Sequence, residues 1–235
     1  MRLHVLGCHG PYPPAGGATS GYLLEGKHTR VLMDCGSGVL GKLMSRCDPA
    51  SLDAVLLSHL HFDHAADLLV LRYYLELAGK TLPLYLPGED QSALGGILRE
   101  SAYRVIPYPE KLTVGEFTVE TMPVRHPVPC RALRITDGER MLVFTGDTND
   151  CPGLAAFARG CDALLADAAF LDSEWTEKKP HMSARGAAML AKEAGAGKLY
   201  LTHLSVGHDP QTAEEEARAV FENAQAVRPG LVIGL

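Results

Sequence analysis

Ser58-His59-Leu60-His61-Phe62-Asp63-His64 places three imidazoles and one carboxylate in a single short segment. Neutral imidazole nitrogen and carboxylate oxygen are zinc ligands, at about 2.0–2.2 Å. In a tight loop His59 and His61 can point one way while Asp63 and His64 turn towards a neighbouring point. One cation cannot readily use all four groups and still take distant ligands and a water. Two cations roughly 3.5–4 Å apart can. The bland alternative is a solvated, His-rich loop. Ten histidines in 235 residues are ordinary, but their concentration in the order H-x-H-x-D-H is not.

The flanks say how this segment is presented. Residues 54–57 form a short apolar run, read as a buried strand that delivers the cluster at its C-terminal end. Residues 65–78 have helical spacing, with Leu68, Leu71, Leu75 and Ala78 on one face. Upstream, residues 2–6, 22–25 and 30–34 read as short strands, and Gly36-Ser37-Gly38 opens a helix running to Met44. Downstream, residues 83–86 read as a strand, 91–100 as a helix and 111–122 as a hairpin turning at Gly115-Glu116. Strands 132–136 and 140–145 are joined by Asp137-Gly138, a strong turn signal. Strands follow at 163–167 and 198–202, with a helix at 183–194 that Gly195 stops. Asp209-Pro210 opens a last helix. The pattern by itself supports a mixed α/β chain of short strands in one domain, 1–235. His59, Asp147, Asp167 and His203 all lie at or just past the ends of apolar strands, where a rigid scaffold presents site residues.

Bulk properties exclude some classes. The formal charge is −6, from 28 acidic and 22 basic residues, and the densest basic spot is Lys178-Lys179. A protein that grips a long phosphate backbone carries a basic stripe, so extended nucleic-acid binding is disfavoured. A small phosphate ester remains compatible, because bound dications neutralise it locally. No apolar run approaches the roughly 18–20 residues of a membrane span. The start of the chain reads directly into a strand rather than a secretion signal, so a cytoplasmic protein is expected. Cys8, Cys35, Cys47, Cys130, Cys151 and Cys161 are scattered, without a C-x-x-C pair, and read as free thiols.

The H-x-H-x-D-H segment resembles the first ligand motif of the metallo-β-lactamase-fold hydrolases, and the resemblance extends along nearly the whole chain. Met33-Asp34-Cys35-Gly36 looks like the family's early Asp motif, which would make Asp34 a partner that orients a ligand histidine. His126 stands where the third His is expected. Asp147, in Thr145-Gly146-Asp147-Thr148, matches the Asp that bridges both metals, and His203 matches the last ligand. By this resemblance His59, His61, His126 and Asp147 hold one metal, and Asp63, His64, Asp147 and His203 the other. The implied cofactor is a pair of Zn²⁺ ions, with Mn²⁺ or Fe²⁺ as alternatives. The implied fold is an αββα sandwich of two mixed sheets with helices outside. His64 and Asp147 replace the Arg and Cys of the commonest true β-lactamases, and His61 replaces the Glu of the oxygen-reducing branch. Antibiotic hydrolysis and redox iron chemistry are therefore disfavoured.

Lys179-Pro180-His181-Met182-Ser183 narrows the branch. It is similar to the H-M-[ST] segment of ribonuclease Z, the tRNA 3′-processing endonuclease, and its shorter relatives. Ser183 would cap the following helix. His181 would contact a phosphoryl oxygen or protonate the leaving alkoxide. Asp167 stands where ribonuclease Z carries Glu, and would orient His181; Asp63 would serve catalysis as well as metal binding. The preceding His of that branch is replaced by Ala166. The tRNA-gripping arm is absent, since His126 and Asp147 are only 21 positions apart. The expected activity is thus phosphodiester hydrolysis by a hydroxide between two metals, on a nucleotide or RNA-type substrate, with tRNA itself in question. Two other readings stay open. One is an ester, thioester or lactone hydrolase on the same fold; the other is a non-catalytic metal-binding accessory protein. Family habit implies a homodimer.

Overall fold

The computed structural model describes every residue of the chain except Glu89. Two seven-stranded sheets pack face to face. The first runs, edge to edge, Val232–Gly234, Arg2–Gly7, Gly21–Glu25, Arg30–Cys35, Ala54–Leu56, Leu82–Leu86 and Tyr103–Pro107. The second runs Ala224–Ala226, Lys198–Thr202, Ala163–Asp167, Met141–Phe144, Arg131–Thr136, Phe117–Pro123 and Lys111–Val114. Each sheet is mixed. Antiparallel hairpins begin each half, and parallel crossovers through helices extend it.

Alternation along the strands explains the layers. Leu3, Val5, Tyr22, Leu24, Met33 and Leu56 point inward from the first sheet, against Phe117, Val119, Leu133, Ile135, Phe144 and Leu165 of the second. The intervening residues point outward, and they too are apolar. Leu23, Leu32, Val55 and Leu84 pack under helices Val39–Met44, Leu68–Leu77 and Ala93–Arg99. Val143, Leu164, Leu199 and Leu201 pack under Ala184–Ala194 and Pro210–Arg218. Strands covered on both faces need near-continuous apolar sequence, as residues 54–57 and 163–166 have. Helix Ala184–Ala194 meets its sheet through Ala184, Ala187, Ala188 and Ala191, so small side chains bring it close. The result is the αββα sandwich. Among the described residues no helix is long and apolar enough to cross a membrane.

Several expected elements differ in detail. The helix read at 65–78 is broken into Phe62–Ala65 and Leu68–Leu77. The reason lies in the backbone: Asp67 N–H donates to Cys35 O, while Asp63 O accepts from Ser20 N–H. The bond that would continue the helix across this point is thereby replaced by two bonds to the first sheet. Gly36 permits this approach, since a Cβ there would lie 1.9 Å from Asp63 O. Strands Tyr103–Pro107, Ala224–Ala226 and Val232–Gly234, and helix Leu154–Phe157, were not legible. The three strands are all sheet edges, and the helix is a single turn, so local pattern is weak. The hairpin turn at Asp137-Gly138 forms as expected, with Gly138 at φ 91 and Asp137 Oδ1 accepting from the N–H groups of Glu139 and Arg140.

Candidate metal centre

The C-terminal ends of strands from both sheets converge on one place. Ala54–Leu56 leads into the His59–His64 loop, and Phe117–Pro123 leads to His126. Met141–Phe144 leads to Asp147, Ala163–Asp167 ends on Asp167, and Lys198–Thr202 is followed by His203. Asp34 lies within Arg30–Cys35, beside them. Asp34 and His203 both sit at φ 54, in the left-handed region that non-glycine residues enter at a cost of order 1–3 kcal/mol. Their surroundings must hold them there. Gly10 lies flat against the His203 ring, where a Cβ would stand 2.1 Å from it.

Ser58 and Asp34 anchor the loop. Ser58 N–H donates to Asp34 Oδ1 and Ser58 Oγ–H to Asp34 Oδ2, each at 2.8 Å. With its proton spent on Asp34, Ser58 Oγ accepts from His59 Nδ1 at 3.0 Å, which leaves His59 Nε2 facing the pocket. Asp34 Oδ2 also accepts from His64 Nδ1 at 2.8 Å, which turns His64 Nε2 inward.

Two groups of ligand-type atoms result. In the first, His61 Nδ1 lies 3.0 Å from His59 Nε2 and 3.1 Å from His126 Nε2, and Asp147 Oδ2 is 3.6 Å from His59 Nε2. In the second, His203 Nε2 lies 3.2 Å from both Asp63 Oδ2 and Asp147 Oδ2. His64 Nε2 lies 3.2 Å from Asp147 Oδ2 and 3.7 Å from Asp63 Oδ2. Within each group one atom per residue lies within 4.8 Å of all the others, and Asp147 belongs to both. Asp167, His181 and His203 satisfy the same spacing, but His181 Nδ1 is already bonded to Asp167 Oδ2 at 2.7 Å.

The donor chemistry fits a pair of cations. Burial, reinforced by the neighbouring imidazoles, holds His59 well below the ordinary histidine pKa, and burial likewise lowers His61. Burial brings His126 to about 4. Three uncharged rings thus aim nitrogens at one point, where a zinc at about 2.0–2.1 Å would set them roughly 3.3 Å apart. The second group is the reverse case. Burial opposes charge on Asp147, yet His203, His64 and His59 hold its pKa well below the carboxylate range. Burial also opposes charge on His64, yet Asp147 and Asp34 raise its pKa well above normal. His64 Nε2 is buried, and its nearest acceptor among the described residues is Asp147 Oδ2 at 3.2 Å. Two converging carboxylates, Asp63 and Asp147, call for positive charge between them.

All seven predicted ligand residues therefore meet in one pocket, with Asp34, Asp167 and His181 around it. Sequence reasoning passed over the anchoring role of Ser58, the contact of Gly10 with His203, and Asn149 and Trp175, which hold the His181 loop. Ser58 adjoins the motif and was open to notice. The other three carry no local signal.

An αββα sandwich with His/Asp groups at the strand ends defines a metallo-hydrolase of the β-lactamase fold. Residues 29–204 match the family described as "Beta-lactamase superfamily domain", and the chain belongs to that family. It is 37% identical over 229 residues to "Probable metallo-hydrolase YhfI" of Bacillus subtilis, covering 94% of each chain. The crystal structure of YhfI superposes with a TM-score of 0.93 at 34% identity, over 99% of this chain and 98% of that one. A ribonuclease Z of Methanopyrus kandleri is 31% identical over 273 residues, covering 99% of this chain and 97% of the relative. The short form of human tRNase Z shares the fold, with a TM-score of 0.82 at 19% identity over 100% and 99% of the two chains.

Proposed function

We propose that this metallo-hydrolase is a dinuclear phosphodiesterase acting on a small nucleotide or RNA-type phosphodiester. His59, His61, His126 and Asp147 would hold one dication, and Asp63, His64, Asp147 and His203 the second. Zinc suits this imidazole and carboxylate set best, and manganese or iron accept the same donors. Bound there, the pair would supply a nucleophile from water at neutral pH and positive charge against the phosphoryl oxygens.

The observation that carries the phosphodiester reading is the His181–Asp167 pair. Burial opposes charge on His181, but the Asp167 carboxylate at 2.7 Å outweighs it and lifts the pKa to about 9. Asp167 is itself fixed by the N–H groups of Thr148 and Ala169, at 2.9 and 3.1 Å. The His181 ring lies 4.7 Å from that of His203 and 5.4 Å from that of His126, centroid to centroid. A histidine held by a carboxylate therefore stands beside both ligand groups. It can donate to a phosphoryl oxygen or give its proton to a leaving alkoxide. The net charge of −6 favours a small diester over a long nucleic acid. The same reading carries a cytoplasmic homodimer, which sedimentation velocity would check.

The test is a substrate panel on protein of measured metal content. It spans 2′,3′- and 3′,5′-cyclic nucleotides, linear dinucleotides, a tRNA precursor, bis-p-nitrophenyl phosphate, a lactone and a thioester. Diester turnover is expected, and His181→Ala should lower it about 100-fold or more with bound metal unchanged. Turnover confined to the lactone or thioester would overturn the proposal. Metal lost along with His181 would make that residue a ligand instead.

A further inference from the structure

The segment that carries His181, residues 175–181, has no regular secondary structure, yet its carbonyl oxygens are gripped nearly one after another. Asn149 does most of this. Its side chain is fully buried, and its amide Nδ2 donates to Lys179 O at 2.6 Å, with Thr176 O and Glu177 O at 3.3 and 3.4 Å. Its Oδ1 accepts from Trp175 Nε1 at 3.1 Å, and the same indole N–H reaches His181 O at 3.1 Å. Arg125 Nη2 adds a bond to Glu177 O at 2.7 Å.

Trp175 lines an open cleft of about 390 Å³ together with Leu154, Met182, Met189 and Leu190. Its indole N–H, bonded to Asn149 Oδ1 and His181 O, ties Trp175 to the His181 segment beside this cleft. Asn149 is also rigidly tied to the metal centre: it lies two residues beyond Asp147, its own N–H donates to Arg125 O at 3.2 Å, and Arg125 precedes His126. Asn149 and Trp175 therefore join the segment bearing His181 to both strand ends that bear Asp147 and His126.

We propose that Asn149 and Trp175 are positioning residues for His181, forming a latch that sets the distance between that imidazole and the two ligand groups. The inference rests on the catalytic part assigned to His181 above. An error of about 1 Å in the placement of a reacting group can cost on the order of 100-fold in rate. Binding of substrate by the ligand groups does not pass through the latch, so the loss falls on kcat.

The experiment is a double-mutant cycle, run on whichever ester the panel shows to be hydrolysed. Asn149→Ala and Trp175→Phe should each lower kcat about 10- to 100-fold, with KM and metal content close to unchanged. Placed on His181→Ala, neither should cause a further loss, because residues that act through one group are not additive. Losses that persist undiminished on His181→Ala would overturn the latch. So would a change that falls on KM alone. A second reading needs no turnover: Trp175 is the single tryptophan of the chain, so its emission reports the segment directly. In metal-free protein Asn149→Ala should shift that emission to longer wavelength and open it to acrylamide quenching, whereas unchanged emission would sink the proposal. A carbonyl ester as the substrate would remove the phosphodiester reading alone, since the cycle is scored on any ester.

Discussion

The two ligand groups share Asp147 and little else. The first is built of three imidazoles held uncharged, two of them, His61 and His126, only partly buried. Its outer supports are light: Ser58 Oγ on His59, and Pro180 O at 3.4 Å from His126 Nδ1. The second adds Asp63 to Asp147, so a cation there meets two carboxylates rather than one. It buries His64 and His203, and it rests on Asp34 through a 2.8 Å bond. A dication gains more from two carboxylates in a partly dry pocket than from one. The second group is therefore expected to bind the tighter metal, and the first the more exchangeable one. The half-open first group lies beside the segment that carries His181.

The largest effect that could break this comparison comes from the shared residue. Asp147→Ala should empty both groups and abolish hydrolysis, with metal content falling towards zero by elemental analysis. A full complement of one tightly held metal in that variant would show that Asp147 is not shared. Next in size is Asp34→Asn. It should weaken the second group about 10- to 100-fold in a competitive chelator titration while the first changes less. Equal weakening of both would remove the distinction drawn here. Ser58→Ala is the smallest. It deletes bonds to Asp34 and His59, worth about 1 kcal/mol, so roughly a fivefold weaker first group is expected. An effect confined to the second group would reverse the assignment of supports.

The parts of the site differ in how visible they were beforehand. His59, His61, Asp63 and His64 were legible because one loop carries them all, so their spacing is their geometry. His126, Asp147 and His203 are each ordinary by themselves. They became legible through their order and their places after apolar strands, which resemblance to a family turned into roles. Asn149 and Trp175 were not legible at all. An Asn after a Gly-Asp-Thr turn looks like one more turn residue, and its partners lie 26 to 30 positions further on. Gly10 likewise looks like loop punctuation until the His203 ring is seen against it. The interruption of the helix at Asp67 was hidden for the same reason, since Cys35 and Ser20 are remote in sequence.

Sequence alone determined the apolar alternation, the turns at Asp137-Gly138 and Gly195, the helix caps at Ser183 and Asp209, and the ligand types, because each depends on neighbours a few residues away. Tertiary structure decided how close the two ligand groups come, which nitrogen of each imidazole faces the pocket, and how His181 is held over it. Those properties arise from contacts between strand ends of two different sheets. Only the packing of Leu3, Tyr22 and Met33 against Phe117, Leu133 and Phe144 brings those ends together.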